Sequence, residues 1–252
     1  MIIMNLKGGH AFAKGVSFYS DSFVVKAQYS PNEAITITDS KPGDMKNYKL
    51  YKILRVIPFV RGILLIFHDR STAIPFAVLF LYLFFFKSFL ENINIYFLLG
   101  CITPFLFYGF KAWSSRSSML SKISTVRKYH AAEHMVAHAW ENELTLNLES
   151  VNKQSRIYPN CGTNLVVFTL TIFIVLLPLP ITLILKLLLP FSIGFELFIL
   201  TSPIIVKVLR PLYWIGEFTQ KYITTASPDD NHLLVAIACM ERLVALEDGL
   251  KS

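Results

Sequence analysis

Imidazole, carboxylate, thiol and guanidinium groups meet in one polar stretch of this 252-residue chain, residues 129–163. The stretch opens Tyr129-His130-Ala131-Ala132-Glu133-His134 and runs on through His138 to Trp140-Glu141. It closes Ser155-Arg156-Ile157-Tyr158-Pro159-Asn160-Cys161-Gly162-Thr163. On a helix each residue turns by about 100°, so His130, Glu133 and His134 share one face. Two imidazoles at i and i+4 can close on one metal ion, and a carboxylate beside them can take a proton from bound water. The order His-Ala-Ala-Glu-His matches the H-x-x-E-H pattern of inverted zinc proteases. The spacing therefore points to zinc, or another divalent transition metal, on His130 and His134, with Glu133 as general base. The competing reading is a polar helix face whose histidines bond their neighbours, because so short a motif also arises by chance.

A third ligand has to come from elsewhere. Cys161 is the first choice: thiolate suits zinc, and a Pro-x-Cys-Gly turn can present it. Glu196 is the second, as an acid within or at the edge of an apolar run, where a charge is costly and is a candidate for function. Its alternative is an acid at a helix start. His138 is excluded from the same ion, because eight residues of helix place it about 12 Å from His130 along the axis. A zinc ion reaches a nitrogen only about 2 Å away.

The elements that would carry these residues are expected to lie in a membrane. The chain is 54% hydrophobic and 14% aromatic, with 16% charged residues, the composition of a polytopic membrane protein. The expected fold is mainly α, with about four transmembrane helices in two hairpins. A small N-terminal cytoplasmic β element and a C-terminal amphipathic helix flank them. Residues 1–45 form the β element, with strands at Phe12–Tyr19, Ser22–Tyr29 and Ala34–Thr38 between turn signals. Gly8-Gly9 there suggests a bulge or a close backbone approach. Residues 46–71 form a basic amphipathic helix on the membrane surface, kinked or interrupted at Pro58. Residues 72–112 hold the first transmembrane hairpin, 113–163 the loop with the histidine helix, and 164–215 the second hairpin. Residues 216–252 hold the last helix, capped at Ser227-Pro228-Asp229-Asp230.

Residues 1–72 carry ten Lys and Arg, 113–163 carry six and 207–252 carry five, while the two opposite loops hold Lys87 and Lys186. The positive-inside rule then gives a multi-pass protein of the cell membrane with both termini cytoplasmic. The net charge of +7 reports topology and contact with anionic lipid head groups rather than nucleic acid. A membrane-protein partner is a further expectation. Cys101, Cys161 and Cys239 are widely separated and odd in number, which argues against a disulfide framework.

Several stretches occur together in one order: Gly8-Gly9-His10-Ala11 to Gly15-Val16, Pro58 to Gly62, Tyr129 to Glu141, Ser155 to Thr163, Gly194-Phe195-Glu196, and Thr224-Thr225 to Asp230. That order resembles the YqhQ-like family, bacterial membrane proteins of unknown function described as predicted metal-dependent enzymes. The resemblance covers most of the chain. This sequence departs from it at His10 and Lys14, where the family typically has glutamine and glutamate, and at Tyr158, where it usually has histidine. The resemblance implies a metal-dependent enzyme. Hydrolysis at His130, His134 and Glu133 is the leading expectation. A non-catalytic membrane scaffold or regulator with a degenerate or structural metal site is the alternative, which Lys14 and Tyr158 favour.

Overall fold

Val16 and Phe18 alternate with polar or smaller neighbours along one strand, and Val25 and Ala27 do so along the next. A period of two places all four side chains on one face of a sheet. The computed structural model describes residues 6–30, 34–41, 54, 56–68, 117–200 and 202–250. Its sheet has four antiparallel strands in sequence order: β1 (Gly8–Phe12), β2 (Gly15–Tyr19), β3 (Val24–Tyr29) and β4 (Ile35–Ser40). The first strand begins at Gly8-Gly9, where a bulge or a close backbone approach was expected, and the strand expected over Phe12–Tyr19 is split by a turn. Strand β1 turns into β2 through Ala13-Lys14, with Phe12 opposite Gly15 and Gly9 opposite Phe18.

The apolar face of the sheet is covered by two helices, α2 (Ser117–Glu141) and α8 (Asp230–Gly249). On α8 the buried positions Leu233, Ala236, Ile237, Met240 and Leu243 follow the i, i+3, i+4, i+7 spacing of one helix face. On α2 the buried set is Tyr129, Ala132, Met135, Val136 and Ala139. Sheet and both helices share one core, to which Cys239 also belongs at 0% exposure. Helix α2 stops where Glu143 takes φ 55° and the Leu144 amide reaches back to the Ala139 carbonyl at 2.9 Å. That is a Schellman-type end, with an acid in the left-handed position that glycine usually fills.

The other helices of the described residues are α1 (Val60–His68), α3 (Leu148–Asn152), α4 (Gly162–Leu176), α5 (Leu183–Ile199), α6 (Pro203–Val208) and α7 (Arg210–Thr219), of which α4 packs on α5 and α7, and α1 on α5. A π-helical turn, Gln220–Thr224, extends α7.

The expected polytopic fold, and with it multi-pass placement in the cell membrane with cytoplasmic termini, is corrected here. Among the described residues no helix is long and apolar enough to cross a membrane. A span needs about 20 residues. Helix α4 has 15 and α5 has 17. The apolar run that opens the second expected hairpin is cut after Leu176 at Leu177-Pro178-Leu179-Pro180, where each proline removes an amide donor and crowds the preceding turn. Pro190 sits inside α5, and that helix ends at Leu200 in an extended conformation, short of Pro203. The second expected hairpin, 164–215, is thereby divided among four helices, α4 to α7. The first expected hairpin, 72–112, lies outside the described residues. The basic helix expected over 46–71 is described only from Val60, beyond Pro58.

Candidate functional site

Helix α2 points its core residues at the sheet and turns His130, Glu133 and His134 toward a different neighbourhood. Four buried alanines on this helix, Ala131, Ala132, Ala137 and Ala139, let surrounding backbone come close. The rings of His130 and His134 lie 4.4 Å apart between centroids, edge to face. The Nδ1 of His134 donates to the Arg156 carbonyl at 2.7 Å, and the Nδ1 of His130 donates to the Thr224 carbonyl at 3.0 Å. A carbonyl only accepts, so each Nδ1 carries the proton and each Nε2 is left as an acceptor, that of His130 facing the Cys161 thiol. Carbonyl partners that fix the tautomer in this way are the usual support of metal-binding histidines.

Cys161 completes the cluster from the opposite side. It is the N-cap of α4, with its Sγ accepting from the Thr163 amide at 3.4 Å. Its Sγ lies 3.4 Å from the Nε2 of His130. One donor atom each from His130, His134 and Cys161 falls within 4.8 Å of the other two. Zinc bonds of about 2.0–2.3 Å place tetrahedral ligands about 3.3–3.6 Å apart. The observed spread of up to 4.8 Å is wider than that spacing, and the donor types suit zinc.

The electrostatics run the same way. Burial holds His130 below the usual histidine range, and burial with the nearby His130 and His138 takes His134 down to about 3. Both rings are thus neutral, the state that binds metal. Burial raises the Cys161 thiol, with the Thr163 hydroxyl and amide opposing; a cation at the cluster would reverse the balance toward thiolate. Glu133 is 8% exposed and burial pushes its carboxyl up to about 8. It has no hydrogen-bond partner among the described residues.

Directly over Glu133 lies Gly9, where a Cβ would run into the carboxyl group. A cavity of about 560 Å³ opens on the cluster, with β1 on one side and Leu165, Phe195 and Phe198 on the other.

The remaining sequence candidates fall outside the cluster. Glu196 accepts from Arg61 Nε at 2.9 Å, Arg61 Nη2 at 2.6 Å and the Phe59 amide at 2.7 Å. It anchors the start of α1 instead of joining the histidines. His138 donates from Nε2 to the Ile157 carbonyl at 2.8 Å and packs against the ring of Tyr158. His134 and His138 thereby grip the carbonyls of two consecutive residues.

Three contributors carried no sequence signal that named them. The Thr224 carbonyl reaches His130 because the π-helical turn carries the chain around one residue wide. Arg127 secures that turn by donating to the Tyr222 and Thr225 carbonyls at 2.9 Å each. The fully buried Gln220 accepts from the Tyr158 amide at 2.8 Å and holds the cysteine loop. The pair Gly8-Gly9 gave the only hint, a close backbone approach; the group approached is Glu133.

The family model described as "Protein of unknown function (DUF1385)" matches residues 71–246, which include His130, Glu133, His134, Cys161 and Glu196 but not Gly8, Gly9, Phe59 or Arg61. The "Uncharacterized protein YqhQ" of Bacillus subtilis (strain 168) is 34% identical over 140 residues, 52% of this chain. The match covers 44% of that relative, so the chain spans less than half of its length. No solved structure matches.

Proposed function

The chain belongs to the YqhQ-like family of proteins of unknown function (DUF1385), and we propose that it is a metal-dependent hydrolase, with zinc held by His130, His134 and Cys161. The observation that carries this reading is Glu133. A buried carboxyl without a hydrogen-bond partner among the described residues stands beside three metal-type donors and faces a cavity. A purely structural zinc site would close its coordination with protein and needs no such group.

When bound, zinc supplies Lewis-acid polarisation of a carbonyl and lowers the pKa of water. The chain's own residues do the rest. His130 and His134 present Nε2 in fixed tautomers. Cys161, at the start of α4, presents sulfur where the helix dipole favours negative charge. Burial keeps the Glu133 carboxyl largely protonated at neutral pH in the ion-free chain; a cation at the cluster would return it to carboxylate, the form that takes the proton from the attacking water and passes it to the leaving group. The walls of Leu165, Phe195 and Phe198 limit water around the reacting carbonyl.

Zinc-loaded protein should hydrolyse p-nitrophenyl acetate above the buffer rate. Glu133→Gln should keep stoichiometric zinc and lose that activity by about 100-fold or more, the contribution expected of a positioned general base. Unchanged activity in Glu133→Gln would overturn the assignment.

A further inference from the structure

The cavity over the cluster is lined by five consecutive residues, Lys7 to Ala11. Side chains alternate between the two faces of a strand, so consecutive lining residues mean that the cavity runs along the edge of β1. That edge is unpaired among the described strands, since β1 is the outermost in the order β1-β2-β3-β4.

The register says which groups face it. The Tyr29 amide bonds the Lys14 carbonyl at 2.9 Å, so Lys14, Val16 and Phe18 turn their backbone groups toward β3. Gly15, Ser17 and Tyr19 then pair with Phe12, His10 and Gly8. By the alternation of an antiparallel ladder, Gly9 and Ala11 turn their amides and carbonyls outward. Gly9 is also the residue that sits on Glu133. Free backbone groups, the general base and the metal donors therefore line one groove.

We propose that the substrate of this centre is a polypeptide, bound extended as a fifth strand along β1 through the backbone groups of Gly9 and Ala11. The proposal rests on the hydrolase reading and names its substrate class. Strand addition supplies affinity through main-chain bonds and selectivity through alternate side chains. Here the facing wall of Leu165, Phe195 and Phe198 takes an apolar side chain beside the scissile bond. The reaction is hydrolysis. The water oxygen bonds to the peptide carbonyl carbon and the C–N bond breaks. Glu133 carries one water proton to the departing nitrogen, and the other water proton is released from the new carboxylic acid as it ionises. No electrons are transferred to any other species.

The test is Ala11→Pro in the full zinc-loaded chain, with reduced, carboxymethylated casein and p-nitrophenyl acetate as probes. Proline removes the outward amide and is tolerated on an edge strand when that amide makes no ladder bond. The expected result is that the ratio of casein cleavage to ester hydrolysis falls by about tenfold relative to the unsubstituted chain, the order one lost hydrogen bond is worth; an unchanged ratio counts against strand addition. As a readout independent of cleavage, casein should slow amide exchange of Lys7–Phe12 in zinc-loaded Glu133→Gln. Ester hydrolysis without casein cleavage and without slowed exchange overturns the polypeptide proposal and leaves the hydrolase reading standing. Absence of zinc, with neither probe hydrolysed, overturns both. If Ala11→Pro does not fold, the exchange measurement on Glu133→Gln decides alone.

Discussion

Burial of the Glu133 carboxyl disfavours its charged form, and no donor among the described residues offsets that cost. Such a group persists when it serves a bound species. Gly9 is part of the arrangement, because no other residue leaves room for the carboxyl beneath β1. Gly9→Ala should therefore destabilise the fold by about 1–3 kcal/mol, the usual cost of forcing an extra carbon into a filled space, read as a lower urea midpoint. At the same scale His134 and His138 separate. Both donate to loop carbonyls, but only His134 stands in the three-donor cluster. His134→Ala should remove stoichiometric zinc and His138→Ala should retain it, as measured by elemental analysis after gel filtration. Zinc kept by His134→Ala would remove that ring from the ligand set.

Among the elements, α1 is tied to α5 by one carboxylate. Glu196 takes three donors from Arg61 and Phe59, and the Ser192 hydroxyl donates to the Phe59 carbonyl at 2.6 Å. Gly62 sits against the α5 backbone at Phe191 and Ser192. Glu196→Gln should cost about 1–3 kcal/mol, since bonds to a charged acceptor are the stronger kind. The Arg61 guanidinium, helped by the Phe59 amide, holds the Glu196 carboxyl below its ordinary 4.5. A depressed folded-state pKa gives stability that is present above 4.5 and is lost as pH falls through the folded value. Urea midpoints at pH 7 and pH 3.5 should therefore differ less in Glu196→Gln than in the wild type. An equal pH dependence in both would contradict the role given to this ion pair.

What was legible in the sequence at this scale was spacing. Residues 130, 133 and 134 share a helical face by arithmetic, and the Pro-x-Cys-Gly turn singled out Cys161; its place as a helix N-cap came from the structure. The apolar runs misled because hydropathy sums through Pro178 and Pro180, whereas the helix ends before them. The Thr224 and Arg156 carbonyls were invisible because any residue supplies a carbonyl. Only the π-helical turn and the path of the loop decide which one arrives at a histidine.

At the level of the whole molecule, the sheet, α2 and α8 are one core, so the N-terminal strands and the C-terminal helix act on the histidine helix together. Ser20 and Ser22 bond Glu247, and Arg242 bonds Asp39 at 3.0 Å, which fasten the sheet to the C-terminal half of α8. Phe18 is fully buried in this core. Phe18→Ala should cost about 3–5 kcal/mol and should loosen zinc in parallel, because α2 carries ligands on one face and core on another. Destabilisation without any change in zinc retention would show that the centre is independent of the sheet. The central claim is the ligand set itself, and zinc K-edge X-ray absorption on the zinc-loaded protein tests it most directly. The account predicts two nitrogen scatterers at about 2.0–2.1 Å and one sulfur at about 2.3 Å, with the sulfur lost in Cys161→Ser. A first shell of nitrogen and oxygen alone in the wild type, or no retained zinc, would contradict it.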